Sequence, residues 1–388
     1  MANKFNTFRQ YLLIFVFILT SLIAFANEVD EHTSAIAQDS ISSTTIENHP
    51  ANAENDHESE KFDAGKMIIE HVADNHQWHL FGHTSISLPV ILKTDKGFDI
   101  FSSSHFGHDG KEVYNGNNYT YELKEGNIVV VDELTGLINE TATESLWDFS
   151  ITKNVMAMLI SMFIMFWMFG SVAKAYTKNK GKAPRGLQSF MEPLILFVRD
   201  DIAKVSIGDK RYLQFMPFLL TVFFFIWINN VLGLIPIFPG GVNVSGSISI
   251  ALALALFVLV ITLFIANKHY WQHVFVMPGV PVLVLFILTP IEILGLVLRP
   301  FVLMIRLFAN ITAGHIIALA FFSLIFIFGE MHAGLGVGVS VLSLVFTVFM
   351  GALELLVAFL QAYVFTLLTA IYFGAAIDES HAVYNHHD

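Results

Sequence analysis

The chain has 388 residues, 54% of them apolar and 14% charged, with a mean hydropathy of +0.61, and its long apolar runs exclude an ordinary water-soluble protein. The net charge of −12 is unevenly spread: residues 27–150 hold 23 Asp and Glu against 6 Lys and Arg, and residues 151–388 hold 10 against 13. Such a local acidic excess argues for an exposed region and against a nucleic-acid partner, and the absence of Cys excludes disulfides and thiol chemistry.

Residues 1–26 carry Lys4 and Arg9, an apolar stretch from Tyr11 to Phe25, and the small-x-small site Ala24-Phe25-Ala26, the plan of a secretory signal peptide; an uncleaved first span is the alternative. Residues 27–65 are Ser-, Thr-, Asn-, Asp- and Glu-rich and predict a flexible acidic linker. From 66 to 146 the runs SISLPVILK, GFDIF, YTYELK and NIVVVDEL, parted by Gly, Asn and Asp, predict a small extramembrane extension with β content. His71, His76, His79, His83, His105 and His108 fall here. Without Cys or a clear helix to gather them they read as surface histidines and not as a metal site, and no cofactor is called for.

Residues 147–388 read as an all-α membrane domain. Apolar stretches run from Asn154 to Ala175, Leu213 to Ile235, Ile248 to Ala266, and from Pro281 onward, each near or above the roughly 20 residues that a spanning helix needs. Lys174, Lys178, Lys180, Lys182 and Arg185 follow the first and mark a cytoplasmic loop, so the acidic region lies outside. The stretch LQSFMEPLILFVRDDIAKVSIGDKRY mixes charge and apolar residues at helical spacing and predicts an amphipathic surface helix. Pro281 to Leu298 is ambiguous: Pro290, Glu292 and Arg299-Pro300 suit a bent, membrane-embedded hairpin as well as a full span. Two long helices come next, Phe301 to Phe328 and about Gly336 to Ile377, the second roughly 60 Å long and therefore tilted in a core of about 30 Å.

Within these helices the ionisable residues are few: Glu292, Arg306, His315 and Glu354. An arginine inside a span costs between about 2.5 and about 17 kcal/mol, so it faces a partner or a wet cavity unless it snorkels to an interface. Antiparallel neighbours pair at a nearly constant index sum, and Arg306 with Gln361 (667) and His315 with Glu354 (669) satisfy this. Thr347, Gly351 and Ala358 share the stripe of Glu354 and Gln361, which makes one face small and polar. Nine residues rotate a helix by about 180°, so His315 faces away from Arg306 unless the helix curves near Gly314.

The motif MIRLFANITAGH (304–315), with PIEILGLVLRP (290–300), LELLVAFLQAYVFTLLTAIY (353–372) and NNVLGLIP (229–236), resembles ATP synthase subunit a, over roughly Asn154 to Ile377. The resemblance implies about five transmembrane helices, a membrane-embedded hairpin and two long tilted C-terminal helices with a cytoplasmic tail in a bacterial inner membrane. It implies that Arg306 is the stator arginine, with Asn310 on its face and Gln361 beside it. His315 and Glu354 then belong to the outer half-channel, Glu292 to the cytoplasmic one, and Asn230 lines the second span. The implied partners are the rotor-ring subunit c oligomer, the peripheral-stalk subunit b and the lipid bilayer. Ala309 stands where many members have Gly. Two other readings compete: a secondary transporter with a site at the broken helix near Pro290, in which internal repeats would be expected and are not seen, and a membrane anchor for the acidic region, which would not need Arg306, Glu354 and Gln361.

Overall fold

A computed structural model describes residues 74–377, apart from 82–83, 108–111, 125, 134, 236–237, 243, 278–279 and 332. The expected signal peptide, the linker, His71, His83, His108 and Pro236 lie outside the described residues.

The extension is built of short antiparallel strands. Strands β1 (Gln77–Phe81) and β2 (Thr84–Ser87) pair with each other. β3 (Pro89–Thr94) pairs with β4 (Gly97–Ser102), where Gly97 takes a φ of +138° that a side chain would resist. β5 (Tyr114–Asn115), β6 (Thr120–Lys124) and β7 (Asn127–Val131) form a second three-stranded sheet. A short helix, α1 (Glu140–Glu144), precedes β8 (Trp147–Asp148), which returns to β3. Alternation along β3 turns Val90 and Leu92 inward against Phe106, Tyr121, Ile128 and Val130, a core separate from that of the helices. The four predicted β runs all fall on strands.

Five helices are long and apolar enough to cross a membrane. The first, α2 (Lys153–Lys178), starts on a Thr152 cap whose hydroxyl accepts the Val155 N–H. The predicted amphipathic segment is α3 (Leu187–Phe197), a π-helical stretch (Val198–Ala203) and α4 (Lys204–Ile207) in unbroken succession. Next come the spans α5 (Tyr212–Leu234) and α6 (Ile248–Ile265), then the short α7 (Lys268–Phe275). The last two spans are α8 (Val282–Met331) and α9 (Ala333–Ile377), 50 and 45 residues long.

The expected hairpin between Pro281 and Leu298 is not formed: α8 runs through Pro290 and Pro300 as one helix into the next predicted element. Each proline removes one N–H donor and crowds the carbonyl four residues back. Leaving the helix inside hydrocarbon would strand more backbone groups than that, so the helical path is retained. At 1.5 Å per residue α8 is about 75 Å long and α9 about 68 Å, and neither can stand upright in the membrane.

Packing fixes the helices laterally. Phe197 and Phe223 both meet Phe359, at centroid distances of 5.9 and 5.8 Å, tying α3 and α5 to α9. At one end of the bundle the tail of α9 is held by both neighbours: the Asn267 amide and Arg211 Nη1 donate to the Ile377 carbonyl at 2.9 and 3.5 Å. By contrast, an 18-residue apolar window along α8 is only 6% buried and one along α9 only 11%, against 39%, 61% and 50% for those of α2, α5 and α6. The α8–α9 pair therefore presents a broad uncovered apolar face, with Val302, Ile305, Val348 and Leu355 among its exposed side chains.

Candidate functional site

The register of α8 against α9 decides which polar residues meet. Phe321 stacks on Phe346 with centroids 5.2 Å apart, and the Ser343 hydroxyl donates to the Phe321 carbonyl. The Glu354 carboxylate lies against Gly314, its Oε1 only 2.9 Å from where a Cβ would stand. The index sums of these pairs run from 664 to 668, so the antiparallel register expected from the sequence holds here. On it Arg306 lies level with Gln361.

Helix α5 approaches the pair from one side. Asn230, buried, donates through Nδ2 to the Ala358 carbonyl of α9 at 3.2 Å. One turn later Gly233 is approached by His315, whose Nε2 lies 3.6 Å from where a Cβ would stand, an ordinary contact, and more tightly by the Val242 carbonyl, 3.2 Å from the same point. Thr312, one turn before His315, donates to the Gly246 carbonyl at 3.2 Å. Asn230, His315 and Glu354 are thus gathered where α5, α8 and α9 meet, toward the end of the bundle that carries the extension.

This cluster is incompletely satisfied within the chain. Among the described residues, buried Asn229 Oδ1, Asn230 Oδ1, Thr347 Oγ1 and Glu354 Oε1 have no hydrogen-bond partner. Each such atom costs about 1–3 kcal/mol if it stays dry, and more in hydrocarbon, so each calls for water.

Arg306 and Asn310 lie elsewhere. Both are exposed on the uncovered face of α8, whereas His315 is half-buried on the side of α5, as the half-turn between them requires. Arg306 has no hydrogen-bond or ion-pair partner among the described residues, and Val302 and Ile305 beside it are exposed. Gln361 is buried in α9. Glu292 is not brought to the cluster; it is half-buried on α8, fourteen residues and about 21 Å of helix before Arg306, within about 40° of the same face.

Several participants are not distinguished by the sequence. Asn229, Gly233 and Thr312 lie in quoted motifs, and only their contacts separate them from their neighbours. Arg299, a heptad before Arg306, donates to the Tyr270 hydroxyl of α7 at 2.8 Å and sits over the Tyr372 ring of α9 at 5.5 Å. The heptad spacing is the one signal that points to it. Among the described residues no three His, Asp or Glu side chains stand together as metal ligands.

A family model described as "ATP synthase A chain" matches residues 155–374, and one described as "Domain of unknown function (DUF8433)" matches residues 67–149. ATP synthase subunit a of Chloroherpeton thalassium is 39% identical over 245 residues, covering 61% of this chain and 71% of that protein. ATP synthase subunit a 2 of Chlorobaculum tepidum is 42% identical over 241 residues, 60% of this chain and 65% of that protein. ATP synthase subunit a of Anaeromyxobacter dehalogenans is 37% identical over 249 residues, 61% of each chain. With more than half of its residues inside the first model and that much of the Chloroherpeton protein covered, the chain belongs to the family of ATP synthase A chains, multi-pass helical proteins of the membrane.

Proposed function

We propose that this chain is the proton-conducting stator subunit of a bacterial F-type ATP synthase, with no catalytic chemistry of its own. One observation carries the reading: a permanent cation, Arg306, stands on an uncovered apolar helix face with no hydrogen-bond or ion-pair partner among the described residues, while Asn230, His315 and Glu354 gather on the opposite side. Facing lipid alone, Arg306 would be costly. A carboxylate carried past it by a rotor-ring subunit c removes that cost, and the broad apolar face of α8 and α9 suits the ring's helices.

In this scheme a proton enters from outside through the watered cluster of Asn230, His315 and Glu354 and neutralises a rotor carboxylate, which can then turn into lipid. On returning, that carboxylate meets Arg306, whose charge lowers its pKa and drives the proton out along the side of Glu292 toward the cytoplasm. Gln361, level with Arg306, and Asn310, a turn beyond it, orient the two charges. The guanidinium stays protonated at any working pH and so also bars a direct leak between the two half-channels.

The basic residues from Lys174 to Arg185 at the end of α2 assign that side to the cytoplasm. With α8 as a single crossing, five spans leave the extension in the periplasm and the tail beyond Ile377 in the cytoplasm, where the peripheral-stalk subunit b and the rest of the complex are met. Parity thus needs no hairpin. The transporter alternative rested on a break at Pro290, and α8 is continuous there.

The test is Arg306→Ala in inner-membrane vesicles. ATP-driven proton pumping and ATP synthesis are expected to fall at least about a hundredfold, the scale of removing a fixed charge from a reacting site. Unchanged pumping would sink the stator reading.

A further inference from the structure

The extension is fastened to the helices at three places. The Asp74 carboxylate accepts from Thr152 Oγ1 at 2.7 Å and from the Asn154 N–H at 3.2 Å, so a residue ahead of β1 caps α2. The Lys153 N–H donates to the Asn75 carbonyl at 2.9 Å. Trp78 of β1, 4% exposed, packs into the core of the membrane helices and not into that of the sheets, and its ring meets Phe238 edge to face with centroids 5.0 Å apart.

Phe238 belongs to the segment that joins α5 to α6, and the same segment reaches the polar cluster. Its Val242 carbonyl lies beside Gly233, which His315 also approaches, and its Gly246 carbonyl accepts from Thr312. Trp78 at Phe238 and Thr312 at Gly246 thus hold the described parts of one segment from opposite sides. Removing the Trp78 ring would leave the segment held from below only.

We propose that the extension is a fixed roof over the outer mouth of the polar path, and that Trp78 is a positioning residue holding the α5–α6 segment against Thr312 and His315. The roof sets how readily water and protons enter from that side. This rests on the reading of His315 and Glu354 as an aqueous half-channel. The roof is itself acidic, with 12 Asp and Glu against 4 Lys and Arg over residues 74–150, so a cation is the appropriate probe of the entrance.

The chain contains no Cys, so Thr312→Cys supplies a single thiol at the mouth. In the intact complex, a membrane-impermeant cationic methanethiosulfonate is added from the periplasmic side and the labelling rate measured. Labelling is expected to be slow with Trp78 in place, about tenfold faster with Trp78→Ala, and slow again with Trp78→Phe, which restores an aromatic contact. Phe238→Ala, outside the extension's own fold, should speed labelling alike and keeps the test valid if Trp78→Ala does not assemble. Labelling at one rate in all four backgrounds overturns the roof while leaving the half-channel standing. A thiol unreachable in every background sinks the half-channel reading and the roof with it.

Discussion

Gly314 shows how one missing side chain organises the site. Its hydrogen leaves the space that the Glu354 carboxylate occupies, and a methyl group there would stand 2.9 Å from Oε1, closer than real contacts allow. Gly314→Ala is therefore expected to push the carboxylate away from its place beside His315 while leaving α8 helical, since Ala is the better helix former. Proton conduction in vesicles should fall several-fold with the complex still assembled; unaltered conduction would mean that the position of Glu354 against α8 is immaterial. Arg306 is the contrasting case, exposed on α8 with no hydrogen-bond or ion-pair partner among the described residues. Its cost in a lone helix is what makes it informative.

At the scale of elements, the end of the bundle where α9 stops is closely tied to its neighbours. The tail of α9 passes so close to α4 that a Cβ on Gly374 would collide with the Ser206 carbonyl, and the same tail is bound by Asn267 and Arg211. Gly374→Ala must displace backbone and not a pliant side chain. A loss of about 1–3 kcal/mol is expected, read as a lower midpoint of thermal unfolding in detergent and faster proteolysis after Ile377. A midpoint equal to the parent's would show that α4 and α9 separate freely. Arg299 binds the same end from within, linking α7 to α9 through Tyr270 and Tyr372. The Arg306 face of the long pair stays uncovered beyond this anchored end.

Across the whole molecule two bodies meet, a β-rich extension with its own core and a helical membrane domain, and the extension holds an ion pair on a buried histidine that ties its stability to pH. In the extension, His76 is buried and its Nε2 lies 2.9 Å from the Asp148 carboxylate. Burial alone would lower the imidazole pKa, but the hydrogen bond and charge of Asp148, aided by Asp74, leave it above its ordinary 6.5. Burial would likewise raise the Asp148 pKa, and the bonds from His76 and Ser150 bring it below its ordinary 3.8. A raised histidine contributes stability that is complete below pH 6.5 and disappears as the pH rises through its folded value. A lowered carboxylate contributes above pH 3.8 and loses that as the pH falls. The extension should thus be most stable between these limits and weaken toward alkaline pH. Hydrogen exchange of β1 and β8 from about pH 5 to about pH 9, corrected for intrinsic rates, checks this, and Asp148→Asn should cost about 1–3 kcal/mol and flatten the alkaline decline. A parent whose protection is flat over that range would refute the coupling.

By itself the sequence determined the features that local pattern carries. Apolar length marked the crossing helices, short β-rich runs parted by Gly, Asn and Asp marked β3, β4, β6 and β7, and a constant index sum brought Glu354 to the level of His315 and Arg306 to that of Gln361. The half-turn between Arg306 and His315 needed only helical periodicity. Only the tertiary structure decided whether Pro290 and Pro300 end a helix, because a proline's local cost must be set against the surroundings of the backbone it would release. It also decided that Asn230 bonds Ala358, that Gly233 of α5 lies beside His315, and that Asp74 and Trp78 fasten the extension to Thr152 and Phe238. These pairs join residues scores of positions apart. No periodicity within one element carries such information, since each contact depends on where a different element comes to rest.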